Sequence, residues 1–366
     1  MAERMRRITR SLPAVLTLAA CVLATPALGQ IDTLPTPDKT SYSQAEKQEL
    51  QAFVSARLDL IGGSDAPARE KARRELLAPL GRPGVSVAFR RAFREASLDQ
   101  LGTLAASTDD AVAINALVVL GEIADDQARQ IVQRHTADER VAVRYASIAA
   151  MTRTFRAIDQ TSPAIDAGRV TEMVRHLTDR LEAEPDASVA DAIVRSLLAA
   201  ASIDRDGFAT PATIATTGLG AGVGARLRAA EDTDRQVTLM TAVRAAEAFA
   251  GRLAAAGTVS PEAARAGAGF AGEVLAHLAY RAREGDMPAA DGWEADLVTL
   301  SERNIVFAAL KLGGRITAPG LPALVESGDA SGFYTAVSEL VLGLNAKPCD
   351  LPQEDMQRIR DALAGK

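Results

Sequence analysis

The chain has few of the side chains on which most enzymes and disulfide-stabilised domains depend. Its 366 residues include two cysteines, three histidines and one tryptophan, and aromatic residues make up only 4%. Two cysteines are too few for the disulfide framework of a small secreted domain. The scarcity of aromatic residues disfavours a β-sandwich, and no segment alternates polar and apolar residues as a half-buried strand does. The sequence therefore predicts an all-α fold.

The motifs of common active sites are also missing. The chain contains neither a Gly-x-Ser-x-Gly elbow nor a Ser-x-x-Lys pair, which would place a hydroxyl beside its base. Pairs of carboxylates occur throughout, but with 24% charged residues they are typical of solvated helix faces. The formal net charge of −6 gives no support for binding nucleic acid. We therefore predict a protein that is not an enzyme and that needs no cofactor or metal.

The first 29 residues have the form of a secretory signal peptide. Four arginines precede an apolar run from Leu12 to Leu28, and Ala27-Leu28-Gly29 offers small residues for cleavage after Gly29. Removing residues 1–29 takes away four arginines and one glutamate, so the net charge changes by three, from −6 to −9. We expect a periplasmic or extracellular protein whose acidic surface favours a basic or neutral partner.

A second processing route is open at the same end of the chain. Leu18-Ala19-Ala20-Cys21 resembles a bacterial lipobox, which would make the protein a lipoprotein anchored at Cys21. The residues after Cys21 stay apolar, whereas a lipoprotein tether usually turns polar. Contact with a membrane is expected only if Cys21 is lipidated or the signal remains uncleaved.

Helix signals continue to the end of the chain. Ser43 and Glu46 fit a capping box, and Leu50, Phe53, Val54, Leu58 and Ile61 then share one helical face. Similar patterns predict further helices at about 67–79, 86–105, 110–123, 126–136, 140–158, 169–183, 187–202, 235–256, 261–284, 293–312, 330–345 and 353–364. The predicted organisation is a signal peptide at 1–29, a flexible linker at 30–42, helical repeats at 43–205, a Gly/Thr-rich linker or loop at 206–225, and a helical half at 226–366 that either continues the repeats or diverges from them.

Four predicted helices share one register. Aligning Val112, Val143, Val189 and Val237 places small or apolar residues five positions later (Leu117, Ile148, Val194, Ala242) and eight positions later (Leu120, Met151, Leu197, Ala245). An acidic turn precedes each helix, at Asp109-Asp110, Asp138-Glu139, Asp186, and Asp232 with Asp234. The chain therefore uses one helical face repeatedly.

The segment Asp138-Glu139-Arg140-Val141-Ala142-Val143-Arg144-Tyr145-Ala146 resembles the start of the first helix of a HEAT repeat. The resemblance covers about residues 65–255, with its best match at 138–151, although the other three helices lack the arginine found at Arg144. It implies an α-solenoid of stacked antiparallel helix pairs and no catalytic residues. It also predicts that Arg144 joins adjacent repeats, with Arg144 and Tyr145 marking the region for a partner contact.

Several short motifs have a functional and a structural interpretation. Gly218 to Gly224 could cradle a phosphate, but no strand precedes them, and a flexible loop is favoured. Asp204-Arg205-Asp206-Gly207 resembles part of a calcium loop, but Ser202 and Thr213 replace two ligands, and a turn that ends a helix is favoured. His135 with Asp138 and Glu139 could hold a metal, but one histidine makes a poor site, and His176 and His277 have no ligand pattern near them.

Two further residues are distinctive because each is the only one of its kind in the predicted mature chain. Cys349 is expected in a loop, where an exposed thiol could pair between two chains. Trp293 is expected to anchor the packing of an amphipathic helix rather than to bind a sugar.

These observations lead to one functional hypothesis and one alternative. The first is an exported, non-catalytic scaffold whose helical-repeat surface binds a protein partner or a component of the cell envelope. The alternative is a cell-envelope enzyme with its active site in the divergent half at 226–366. A pocket in which acids converge with a histidine, for example near His277, would favour that alternative.

Overall fold

The computed structural model describes residues 34–161, 164–229, 235–254 and 259–365. The predicted signal peptide, the lipobox cysteine Cys21 and the acidic residues Asp232 and Asp234 lie outside the described residues. The described residues from Thr36 onward form one compact unit. The described part of the chain contains α-helices, short helical turns and one isolated bridge between Asp125 and Ala164, and it contains no β-strand.

Fifteen α-helices are present in these ranges. They are α1 (Gln44–Gly62), α2 (Ala66–Leu80), α3 (Val87–Ala105), α4 (Asp110–Ile123), α5 (Asp126–His135), α6 (Val141–Gln160), α7 (Ala167–Ala183), α8 (Ala187–Ala201), α9 (Ala209–Ala229), α10 (Arg235–Ala254), α11 (Pro261–Arg283), α12 (Trp293–Lys311), α13 (Leu321–Ser327), α14 (Ala330–Leu342) and α15 (Gln353–Ala364). Helices α9 and α13 were not predicted from the sequence, and the other thirteen agree with it to within a few residues.

Polar residues at the helix starts explain many of these boundaries. Ser43 accepts a hydrogen bond from the Glu46 N–H while the Glu46 carboxylate accepts one from the Ser43 N–H, which completes the predicted capping box. Asp109 and Asp186 accept from two backbone N–H groups each at the starts of α4 and α8. Side-chain caps of this kind satisfy donors that have no partner inside the helix.

The helices stack in two rows. In the first row, α4, α6, α8, α10 and α12 pack one after another. In the second row, α1 packs on α3, and α7, α9 and α11 follow one another, with α14 and α15 packed on α11. Neighbouring helices along the chain, such as α3 and α4 or α11 and α12, join the two rows. This arrangement is an all-α helical solenoid, which confirms the predicted fold class.

The predicted register describes the core of the first row. The positions five and eight residues after each aligned valine are buried in all four helices, as Leu117, Leu120, Ile148, Met151, Val194, Leu197, Ala242 and Ala245. Val112, Val143 and Val189 are buried as well, whereas Val237 is half-buried. The repeated apolar face therefore packs between the two rows of helices. The half-buried Val237 indicates that the buried face of α10 is rotated slightly relative to that of the other three helices.

The predicted linker or loop at 206–225 is wrong for most of its length, because α9 begins at Ala209. The glycines of this segment lie where α9 is so close to neighbouring helices that a larger side chain would not fit. A Cβ added at Gly218 would lie 2.3 Å from Thr178 Oγ1, one at Gly222 would lie 2.4 Å from Leu181 Cδ2, and one at Gly224 would lie 2.3 Å from the Glu273 carboxyl carbon. The glycines give up some helix propensity, and the close packing that they permit offsets this cost.

The last residues of the predicted flexible linker at 30–42 make contacts with the helices. Residues 36–42 lie against the start of α3, where the Ser86 N–H donates to the Pro37 carbonyl at 2.8 Å and the Tyr42 hydroxyl donates to the Thr36 carbonyl at 2.6 Å. The Tyr42 ring contacts the Phe89 ring with 5.9 Å between the centroids. One aromatic contact and these hydrogen bonds hold a segment that has no periodic pattern of its own.

Candidate functional site

The most distinctive surface of the described residues is the uncovered side of the first row, which we call the first-row face. Buried residues occupy the other sides of these helices, and the partly exposed positions recur at helical spacing. We define the first-row face by Ile114, Val118 and Glu122 of α4, Tyr145, Ala149, Arg153 and Arg156 of α6, Arg195 and Ala199 of α8, and Arg244 of α10.

Tyr145 lies near the start of α6 on this face and is 39% exposed. It stands two residues after Val143, and Ile114 occupies the same register position on the adjacent helix α4, where it is half-buried. Val118 and Ala149, which are four positions further along, are half-buried too. The α4 and α6 part of the face therefore offers a partly apolar strip with one aromatic ring, a composition that is common at protein interfaces.

Carboxylates pair with three of the four arginines of this face. Arg153 of α6 lies 3.5 Å from Glu122 of α4, between Nη1 and Oε2. Asp191 of α8 is buried and pairs with both Arg195 and Arg244, and it accepts from the Thr241 hydroxyl at 2.9 Å. Because the carboxylates lie deeper than the guanidinium groups they hold, the arginines are the outermost charges.

The local charge of this surface is therefore opposite to that of the whole chain. Arg153, Arg156, Arg195 and Arg244 stand against Glu122, Asp191 and the exposed Glu247 of α10, whereas the complete sequence has a net charge of −6. Arginine and tyrosine are enriched among the residues that dominate binding energies at interfaces. The sequence suggested the region of Tyr145 as a contact. Arg195 and Arg244 stand six and seven residues after their aligned valines, so the shared register did not indicate them.

Arg144 lies beneath this face and joins elements of the solenoid. Its Nη1 donates to the carbonyls of Asp138 at 2.9 Å and Glu139 at 3.1 Å, and its Nη2 donates to the Glu184 carboxylate at 3.0 Å. Glu184 follows α7, and its fully buried side chain also accepts from Arg180 at 2.9 Å. These contacts give Arg144 a structural role, because they link the turn before α6 to the residue that follows α7.

A cavity of about 460 Å³ lies where the C-terminal ends of α8 and α10 meet α9, and we call it the α8–α10 cavity. Leu198, Ile203, Leu219 and Phe249 form apolar walls. Arg252 is the cationic residue of its lining and donates to the Thr216 hydroxyl at 2.7 Å. Burial lowers the pKa of Arg252, while the negative charge of Asp204 acts in the opposite direction. No motif in the sequence marked this place.

A second, smaller cavity of about 230 Å³ contains His277. Asp286 lines the same cavity, so an acid and a histidine do meet in the divergent half of the chain. The Asp286 carboxylate, however, accepts hydrogen bonds from Arg281 at 2.8 and 2.6 Å and from Arg235 at 2.7 Å. The acid is thus held between two guanidinium groups in a structural ion pair, which leaves it poorly suited to act as a base.

The other histidines take part in local structure. His135 ends α5, and its Nδ1 lies 3.5 Å from Asp138 Oδ2. His176 Nε2 lies 2.7 Å from the Thr136 hydroxyl, and burial lowers the pKa of His176. Within the described ranges, no group of three or more His, Cys, Asp or Glu residues is arranged to hold a metal ion.

The two candidate loop motifs have structural roles. Asp204 to Gly207 form the turn between α8 and α9, as expected, and the Asp204 N–H donates to Asp159 at 3.0 Å. The predicted loop at Gly218 to Gly224 is instead the interior of α9. A phosphate cradle is excluded there because the backbone N–H groups inside a helix already bond within it.

Cys349 and Trp293 differ from their predicted environments. Cys349 is fully buried, and burial raises the pKa of its thiol to about 11, so an exposed thiol that pairs between chains was the wrong expectation. Trp293 is 42% exposed because it is the first residue of α12 and precedes the buried positions Leu297 and Val298. It is therefore not a buried packing anchor.

Comparisons with known proteins give little further information. No protein-family model matches the chain, and no curated protein matches it. Two crystal structures of engineered proteins from a structural genomics consortium are similar to parts of it. One is 19% identical, with a TM-score of 0.38, and the match covers 73% of this chain and 98% of that protein. The other is 16% identical, with a TM-score of 0.32, over 86% and 82% of the two chains.

No helix in the described residues is both long enough and apolar enough to cross a membrane.

Proposed function

We propose that this protein is an exported, non-catalytic scaffold with HEAT-type repeats, and that it binds a protein partner through the first-row face. The observation that carries the proposal is the outward display of Tyr145, Arg153, Arg195 and Arg244 on consecutive helices of one row. Stacked helices of this kind form an extended surface whose residues recur at a fixed spacing, which suits recognition of another protein.

The chemistry of the face supports a partner with acidic residues beside an apolar patch. Guanidinium groups bind carboxylates through paired hydrogen bonds, and carboxylates in adjacent helices hold Arg153 and Arg244 in place. A held side chain loses less conformational entropy on binding than a free one. We therefore expect an acidic partner rather than the basic or neutral partner suggested by the net charge of the chain. The charge of the binding surface governs recognition more directly than the net charge of the whole molecule.

The proposal is tested by site-specific photo-crosslinking in intact cells. A photoreactive phenylalanine analogue replaces Tyr145 on the first-row face, and in a matched control it replaces Arg175, which is exposed on α7 of the second row. We expect a discrete crosslinked partner from position 145 and none from position 175. Equal crosslinking at both positions, or crosslinking at 175 alone, would contradict the proposed face.

A second test removes positive charge from the first-row face. Once the crosslinked partner is identified, the double variant Arg153→Ala/Arg195→Ala should weaken its binding by about tenfold or more, while Arg175→Ala leaves it unchanged. Because charged interfaces bind faster at low ionic strength, the association rate should also fall more steeply with salt for the natural protein than for the double variant. The same salt dependence for both proteins would exclude a role for these arginines.

The alternative of a cell-envelope enzyme has one observation in its favour, namely that His277 and Asp286 line one cavity. The hydrogen bonds from Arg235 and Arg281 to Asp286 weigh against it, because both guanidinium groups donate to the same carboxylate oxygen, which is then occupied. Activity-based profiling of the purified protein with reagents for hydrolases distinguishes the two functions: labelling that His277→Ala abolishes would support the enzyme.

A further inference from the structure

We propose that the α8–α10 cavity binds a small apolar carboxylic acid, with the carboxylate on Arg252 and the chain against the apolar walls. This site is separate from the proposed partner-binding function and does not depend on it. The inference rests on the size of the cavity, on its lining and on the position of its cationic side chain.

The cavity has the dimensions of a small-molecule site. Its volume of about 460 Å³ lies within the roughly 300–1,000 Å³ typical of ligand pockets. At about 30 Å³ per heavy atom, the volume that a water molecule occupies in the liquid, it accommodates about 15 non-hydrogen atoms. A saturated acid of ten carbons has twelve such atoms and fits this space.

Small residues explain why the cavity exists. Ala201 of α8 and Ala248 and Gly251 of α10 line it, and a Cβ added at Gly251 would have no atom within 4 Å. Between α10 and α12, by contrast, a larger side chain bridges the two helices, because Asn304 of α12 donates to the Ala246 carbonyl of α10 at 2.9 Å. At the ends of α8 and α10 the small side chains of Ala201 and Ala248 leave the space between the apolar walls open.

Arg252 supplies the charge complementarity. A guanidinium group has five N–H donors, and within the described residues Arg252 makes one hydrogen bond, to Thr216. Its half-buried position makes an added anion more favourable than at an exposed site, because the local dielectric constant is lower. Asp204 also lines the cavity, but it is exposed, so solvent screens its charge more effectively.

The carbonyl groups at the nearby C-terminal end of α8 compete little with a ligand for the Arg252 guanidinium group. The Ser202 N–H donates to the Leu198 and Ala199 carbonyls, and the Ser202 hydroxyl donates to Leu198 at 2.8 Å. These bonds satisfy carbonyls that would otherwise attract Arg252. The guanidinium therefore keeps donors available for a carboxylate.

The test is calorimetric titration of the full-length exported protein with decanoate, and with decylammonium as a ligand of the same tail and opposite charge. We expect saturable one-to-one binding of decanoate and at least about tenfold weaker binding of decylammonium. Arg252→Met, which keeps an unbranched, flexible side chain and removes the guanidinium charge, should weaken decanoate binding by about tenfold or more. Arg156→Met removes an exposed arginine outside the cavity and should bind decanoate as the natural protein does.

A second variant separates loss of the site from loss of the fold. Gly251→Leu places a side chain in the empty space, so it should abolish decanoate binding while the melting temperature stays the same or rises. The proposal is overturned if decanoate shows no saturable binding, if it binds no better than decylammonium, or if Arg252→Met and Gly251→Leu both bind it like the natural protein.

Discussion

At the residue scale, buried charged side chains connect the elements of this protein. Arg90 is almost fully buried and donates to the Ile123 carbonyl at 3.1 Å and to the Leu80 carbonyl at 3.2 Å, at the ends of α4 and α2. Arg144 likewise donates to a carbonyl in the turn before α6 and to the Glu184 carboxylate after α7. A cation near the last carbonyls of a helix is favourable because those carbonyls lack partners within the helix.

Replacing Arg144 should therefore destabilise the fold. Arg144→Met leaves Glu184 with Arg180 as its remaining charged partner and leaves two carbonyls without their donor, which we expect to cost about 2–4 kcal/mol in the free energy of unfolding. Urea denaturation measures the change. Arg175→Met, at an exposed position, is the control and should change stability by less than about 0.5 kcal/mol. An equal loss in both variants would contradict the structural role of Arg144.

The stability should also depend on pH through His176. Because burial lowers the pKa of His176, with Arg180 and Arg129 acting in the same direction, the folded state favours the neutral ring. Protonation then favours the unfolded chain, so this contribution is complete above the ordinary histidine pKa of 6.5 and is lost as pH falls below it. Urea denaturation at pH 7.5 and 5.5 should show a larger loss for the natural protein than for His176→Gln. Identical losses would exclude this linkage.

At the scale of the helix, close approach between neighbours decides which residues are tolerated. A Cβ added at Gly121 of α4 would lie 2.5 Å from the Ala150 carbonyl oxygen of α6, which belongs to the backbone and cannot rotate away. The Thr154 hydroxyl of α6 donates to the Gly121 carbonyl at 3.0 Å across the same contact. The α4–α6 pair therefore depends on the absence of a side chain at this position.

Two glycine substitutions should have opposite effects on stability. Gly121→Ala should destabilise the protein by about 1–3 kcal/mol because α4 must move away from α6. Gly251→Ala, where the added Cβ meets open space, should stabilise it by about 0.5–1 kcal/mol because alanine favours the helix. Thermal denaturation of both variants checks the pair. A gain in stability for Gly121→Ala would show that α4 and α6 are not held this closely.

At the scale of the whole molecule, we expect residues 1–29 to direct the export of the protein. If the signal is cleaved as predicted, the exported protein begins at Gln30, and Cys349 is its remaining cysteine. Intact-mass measurement of protein from the envelope fraction should show this N-terminus. A mass that begins at Cys21 with attached acyl chains would identify a lipoprotein instead, and Cys21→Ala should then release the protein from the membrane fraction.

The sequence by itself determined thirteen of the fifteen described helices and the face that the first row buries. The periodicity around Leu117, Ile148 and Val194 and the caps at Ser43, Asp109 and Asp186 predicted both, because helix hydrogen bonds and caps join residues close together in the chain. Only the tertiary structure decided that the Gly-rich segment forms α9, that Cys349 is buried, and that Trp293 is exposed. It also brought the arginines of the first-row face together and left the α8–α10 cavity unfilled. These features depend on contacts between helices far apart in sequence, such as Gly222 with Leu181 and Arg244 with Asp191. The spacing of apolar and capping residues within one helix does not indicate such contacts.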